Sequence, residues 1–230
     1  MMGGQAKFSG RIVRYSFLER VVHWLAGGSF VFLLISGLAF FSPRLYWLAT
    51  LLGGGPTARS WHPWVGLLFS LAVVWMYRMW SRDMRLTAAD RAWSKTLGHY
   101  IRNEEDQVAP AGRFNAGQKQ LFWLMYFGGL LLLFSGILLW GTESIPWSWR
   151  ALRSLAILLH VAVALCTIGG FIVHVYMGTA VVGGGWRAIT RGDVSEGWAK
   201  THHRLWWNQI AAGTGTKHDS TLLGPTDRTS

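Results

Sequence analysis

An all-α membrane protein, folded as one bundle of four transmembrane helices, is the fold class that this 230-residue sequence predicts. Three observations predict it. Hydrophobic residues make up 51% of the chain and charged residues only 14%, where soluble domains carry roughly 25% charged. Four apolar stretches, 17–41, 64–80, 121–140 and 155–182, reach or approach the ~20 residues that a bilayer core requires. Lys and Arg are segregated between alternate connections. One membrane domain is therefore expected over residues 1–210, with a disordered polar tail over 211–230.

Residues 1–16 read as a polar, basic lead-in. The first apolar run starts well inside the chain, exceeds the length of a signal h-region and has no A-x-A-like site behind it. It is expected to remain as the first spanning helix rather than be cleaved. In the connection 42–61, LGGGP at 52–56 reads as a turn. The second run, 64–80, leads into the longest connection, 78–119, which mixes both charges and has room for one short amphipathic helix on the membrane surface. The third and fourth runs are joined by the short segment 141–154. Aromatic residues collect at the ends of these runs, as Tyr46, Trp47, Trp61 and Trp64 at one interface and Trp75, Tyr77, Trp80 and Trp123 at the other. Such belts anchor helices at headgroup level. Segment 183–208 carries Trp186, Trp198, Trp206 and Trp207 among charges, as a stretch lying against the membrane or a partner subunit does. From about Gly213 the composition reads as disordered.

Charge sets the orientation. Lys and Arg number 4 at the start of the chain, 8 in the second connection and 6 after the fourth run, against 2 in the first connection and 2 in the third. That is 18 on one side and 4 on the other. The positive-inside rule then predicts a multi-pass membrane protein with both termini and loop 78–119 cytoplasmic. The net charge of +11 thereby reads as topology signal and contact with anionic lipid heads, not as a nucleic-acid surface. The lone Cys166 excludes an internal disulfide and a thiolate cluster, and with it an iron–sulfur centre within this chain.

Four histidines lie inside or at the ends of the apolar runs: His23, His62, His160 and His174. Ionisable residues at membrane depth are costly and are functional by default. His160 and His174 share the fourth run, 14 residues apart, which on a helix is roughly 21 Å along the axis and close to four full turns. One helix thus presents two imidazoles on nearly one face, one per leaflet. The predicted topology pairs His62 with His160 at the outer end and His23 with His174 at the cytoplasmic end.

Two histidines per iron fill both axial positions of a b-type haem and leave no site for oxygen, so such a centre carries electrons. Two bound haem b groups are the expected cofactors. No C-x-x-C-H is present for covalent attachment. Gly37, Gly66 and Gly170 are spaced to face the haems, where a missing side chain lets a flat ring approach. His99, His202, His203 and His218 fall in loops and tail and read as solvated surface residues.

This pattern resembles the γ subunit of membrane-bound respiratory formate dehydrogenase, a four-helix dihaem cytochrome b. The resemblance covers roughly residues 10–210 and rests on R-x-x-H-W (Arg20, His23, Trp24), on W-H-P (Trp61, His62, Pro63), on the pair His160/His174, and on RFNAGQK at 113–119, the most specific of the four. It implies that the outer haem, on His62 and His160, receives electrons from an iron–sulfur β subunit. That subunit is fed by a molybdenum- or tungsten-dependent formate-oxidising α subunit. The inner haem, on His23 and His174, passes them to a quinone, menaquinone or ubiquinone. The family's quinone pocket maps onto Asn115, Gly117, Gln118 and His174. The chain itself would oxidise no formate and hold no catalytic residue, and it would sit in the bacterial inner (cytoplasmic) membrane. Glu104, Glu105 and Asp106 are candidates to feed protons to the quinone, and Arg20, Arg113 and Arg153 to pair with haem propionates. A hydrogenase-type or stand-alone dihaem cytochrome b with another donor fits the same histidines. A transporter or membrane anchor whose histidines bind zinc or carry protons is the reading from a different class.

Overall fold

The computed structural model describes residues 10–213. The lead-in before Gly10, His218 and the expected tail beyond residue 213 lie outside them. In chain order the elements are β1 (Arg11–Val13), α1 (Phe17–Phe41), α2 (Gly55–Trp80), α3 (Ala88–Lys95), α4 (Leu97–Ile101), α5 (Ala116–Trp140), α6 (Arg150–Tyr176), α7 (Gly185–Arg191), β2 (Asp193–Ser195), α8 (Glu196–His202) and α9 (Arg204–Ala211). Among the described residues, three helical stretches, Phe17–Phe41, Ala116–Trp140 and Trp147–Val181, are long and apolar enough to cross a membrane. The protein is a helical membrane protein.

The first apolar run matches α1 to the residue, but the other helices begin earlier than expected. α2 starts nine residues before Trp64, because Pro56 sits in its first turn, where a fixed φ and a missing N–H are tolerated. Pro63 lies inside the helix instead of opening it. The expected turn at 52–56 narrows to Gly53 and Gly54, both at positive φ (85° and 97°), after a 3-10 helix over Pro43–Leu52. α6 ends at Tyr176 and passes into a π-helical stretch, Met177–Val181.

The chain divides into two compact units. One holds residues 21–81 and 121–174, the greater part of the four long helices. Its core joins Val22, Ala26 and Phe30 of α1 to Phe69, Ala72 and Val73 of α2, with Met125 and Tyr126 of α5 and Ile168 and Phe171 of α6 packed against them. Phe30 lies between Phe171 (ring centroids 5.0 Å) and Phe69 (5.6 Å). The opposite faces of these helices expose Leu71, Phe134, Leu158 and Ile172 by 60% or more, an apolar exterior suited to lipid rather than water.

The other unit holds residues up to 20, 82–120 and from 175 on. Its polar loop contains two short helices, α3 and α4, where one was expected. α3 is closed by a capping box: Thr87 and Asp90 satisfy each other's backbone donors. The lead-in and the segment after the fourth run meet as a two-stranded antiparallel sheet, with Ile12 opposite Val194. No alternation long enough to signal strands precedes either of these three-residue pieces, so the pairing was invisible to pattern. Arg11 and Arg187 both bond the Asp193 carboxylate, at 2.7 and 2.9 Å.

Candidate metal centres

The structure brings His23, His62, His160 and His174 together as two pairs. His62 of α2 faces His160 of α6 with ring centroids 6.4 Å apart. His23 of α1 faces His174 of α6 at 6.0 Å. A metal held between two imidazoles has metal–nitrogen bonds of about 2 Å on each side, and the distance from nitrogen to ring centre brings the centroids to roughly 6 Å. Both pairs have this separation, so the residues present fit a bis-imidazole iron. Among the described residues, no three His, Cys, Asp or Glu side chains gather at one place. A structural zinc site needs four ligands and a catalytic one three. Two per centre is the number that a planar macrocycle leaves for the protein.

Serines from neighbouring helices hold the back of the His62–His160 pair. Ser36 of α1 lies 2.6 Å from His62 Nδ1 and Ser135 of α5 lies 2.9 Å from His160 Nδ1. Both serines are buried. The His23–His174 pair differs, since His23 Nδ1 is buried with no hydrogen-bond partner among the described residues. Of the expected glycines, Gly37 does face the His62–His160 pair: a Cβ there would sit 3.9 Å from His62 Cε1. Gly66 instead faces Leu33, and Gly170 is closed over by Leu124 and Leu121 of α5, so its missing side chain serves helix packing. Gly136 was not anticipated, yet a Cβ there would lie 3.4 Å from His160 Cε1. A readable signal existed. Ser36–Gly37 and Ser135–Gly136 are the same dipeptide inside two apolar helices.

Within the polar unit, the segment 113–119 acts as a clasp at the start of α5. Arg113 bonds Glu19 at 2.7 Å and Asp83 at 2.9 Å. Lys119 bonds Asp90 at 2.8 Å and the Arg85 carbonyl at 3.0 Å. Burial alone raises the Asp90 pKa, but hydrogen bonds from Lys119 and Thr87 outweigh it and leave the carboxyl below its ordinary value. Asn115 and Gln118 form a reciprocal cap, in which Gln118 N–H donates to Asn115 Oδ1 at 2.9 Å and Asn115 N–H donates to Gln118 Oε1 at 3.0 Å. Asn115 Nδ2 also donates to the Tyr100 hydroxyl at 3.3 Å. Burial, then the Glu105 charge, pushes the Tyr100 pKa up to about 12. Gly117 lies against Asn115 Oδ1 and the Trp93 ring.

Three expectations change here. His203 is not solvated: it is 2% exposed, with Nδ1 donating to the Gly112 carbonyl at 2.7 Å and Nε2 3.1 Å from the Arg14 guanidinium. His202 is likewise mostly buried, with Nδ1 3.2 Å from Glu105 Oε1. The cause is α8 and α9, which fold Trp198 and Trp206 over Arg14 and carry the histidines in with them. Of the arginines considered for propionates, Arg113 is spent on Glu19 and Asp83 and Arg20 donates to the Thr190 carbonyl at 2.7 Å; Arg153 is exposed. Glu104 pairs with Arg102 at the surface.

The family model for prokaryotic cytochrome b561 matches residues 14–192. The cytochrome b556(fdo) subunit of formate dehydrogenase from Escherichia coli K12 is 33% identical over 90% of this chain and 96% of its own. The cytochrome b556 subunit of formate dehydrogenase from Haemophilus influenzae is 33% identical over 86% of this chain and 83% of its own. The nitrate-inducible formate dehydrogenase cytochrome b556(Fdn) subunit of E. coli K12 is 29% identical over 91% and 96%. With paired histidines set among long apolar helices and relatives of this kind along nearly its whole length, the chain belongs to the prokaryotic cytochrome b561 family, among the relatives of formate dehydrogenase cytochrome b556 subunits.

Proposed function

We propose that this protein is the membrane cytochrome b subunit of a formate dehydrogenase, linking an iron–sulfur partner outside the membrane to a quinone on the cytoplasmic side. The observation that carries the reading is the double pairing of histidines on α6, at 6.4 and 6.0 Å, in a chain whose relatives are named as subunits of that complex. α2 serves as the fourth spanning helix, with both termini cytoplasmic.

Two b haems supply reversible one-electron transfer when bound. His62 and His160 would hold the outer one, and His23 and His174 the inner one. The chain's own part is positional. Each histidine pair would hold one haem with two imidazoles, a ligand set suited to carrying electrons rather than to binding oxygen. At the cytoplasmic end, Asn115, Gly117 and Gln118 contribute to the quinone site, and the share of His174 in it rests on the sequence resemblance. The Asn115 carboxamide has an N–H that a quinone carbonyl can accept in place of the Tyr100 hydroxyl.

A formate-oxidising α subunit and an iron–sulfur β subunit complete the complex. Purification of the tagged chain from its native membranes tests this. Co-purification of both subunits, with reduction of the b haem by formate and reoxidation by added quinone, is the expected result. A b-type spectrum that formate leaves unchanged in such a preparation would assign the chain to another donor.

A further inference from the structure

We propose that the two Ser–Gly dipeptides, Ser36–Gly37 on α1 and Ser135–Gly136 on α5, are the positioning elements of the outer centre. Each serine locks one histidine into the Nδ1–H tautomer and biases the iron it binds toward the oxidised state. The proposal rests on the outer-haem reading given above.

The tautomer follows from proton counting. A serine hydroxyl has one proton and two lone pairs. Ser36 Oγ donates to the Phe32 carbonyl at 2.8 Å and Ser135 Oγ donates to the Leu131 carbonyl at 2.6 Å. With the proton committed to the preceding helical turn, each oxygen can only accept from its histidine. His62 and His160 therefore carry the proton on Nδ1, and Nε2 keeps its lone pair for a metal. A second partner on a ligating histidine fixes ring orientation and raises ligand basicity. A more basic ligand favours the ferric over the ferrous state. The adjoining glycines keep the other edge of each ring open, with Gly37 facing His62 and Gly136 facing His160. His23 has no such partner among the described residues. The two centres thus differ in ligand basicity in the sense that makes the outer iron the weaker electron acceptor, and electrons run downhill from outer to inner.

Ser36→Ala, Ser135→Ala and the double variant test this, with Ser36→Thr and Ser135→Thr as controls that keep the hydroxyl. The readouts are haem content, redox titration of each b haem and low-temperature EPR. The expected result is two retained haems and an upward shift of the outer midpoint alone. In the double variant it should amount to about tenfold in the oxidised-to-reduced ratio, roughly 59 mV for a one-electron couple. The Thr controls should titrate like the unaltered protein. If an Ala variant sheds the outer haem while its Thr control keeps it, the hydroxyl role stands. The proposal is overturned if both haems remain and neither midpoint moves, if the inner haem shifts as much as the outer, or if the Thr controls lose haem too. Fewer than two haems in the unaltered protein would instead remove the outer-haem reading, and this proposal with it.

Discussion

Arg113 and Glu19 form a 2.7 Å ion pair whose side chains are only 10% and 3% exposed. It ties the start of α5 to the first turn of α1, and Arg113 reaches Asp83 and the Arg14 carbonyl as well. Breaking a buried pair by deleting one partner leaves an uncompensated charge, which costs about 3–5 kcal/mol. Arg113→Ala should accordingly lower the thermal denaturation midpoint in detergent. Glu19→Gln in the same chain should recover part of the loss, because the orphaned carboxylate is gone.

Asn115 has two duties that substitution can separate. Its side chain caps α5, a role worth about 1 kcal/mol, and its amide donates to Tyr100. Asn115→Ala should lose both, with quinone reduction impaired while the two haems stay bound. Asn115→Ser retains a capping oxygen and should restore stability without restoring quinone reduction. Full activity in the Ser variant would reduce Asn115 to a cap.

Stability should fall on acidification. Burial, then the Arg14 charge, lowers the His202 pKa from 6.5 to about 4, and the same causes hold His203 well below its ordinary value. Between pH 6.5 and about 4 the unfolded chain binds the proton that native His202 refuses. The contribution is fully present above pH 6.5 and is lost as pH falls toward 4, by at most about 1.4 kcal/mol per pH unit for one such group. Melting temperature measured across this window should drop with pH in the unaltered protein and drop less steeply in His202→Gln.

The sequence carried the membrane class, α1 to the residue and both histidine pairs, because hydropathy and the 14-residue step on α6 are local, periodic signals. It did not carry the start of α2, since Pro63 looks like a helix opener yet sits inside the helix behind Pro56. His203 looked like a surface residue because its burial comes from Arg14, which is 189 residues away in the chain. The motif at 113–119 was legible as a signature, but its caps and ion pairs depend on Glu19, Asp83 and Asp90, which no local pattern connects to it. Ser36 and Ser135 escaped notice for a similar reason. A serine in an apolar helix is unremarkable until the histidine it touches, 26 or 25 residues on, is placed beside it.

The central claim is that His62 with His160 and His23 with His174 make two separate haem sites. Haem b per purified chain, measured as the pyridine haemochrome, tests it most directly when read beside His62→Ala and His23→Ala. The account predicts two haems in the unaltered protein and one in each variant. A single haem in the unaltered protein, or the loss of one haem by neither variant, would contradict it.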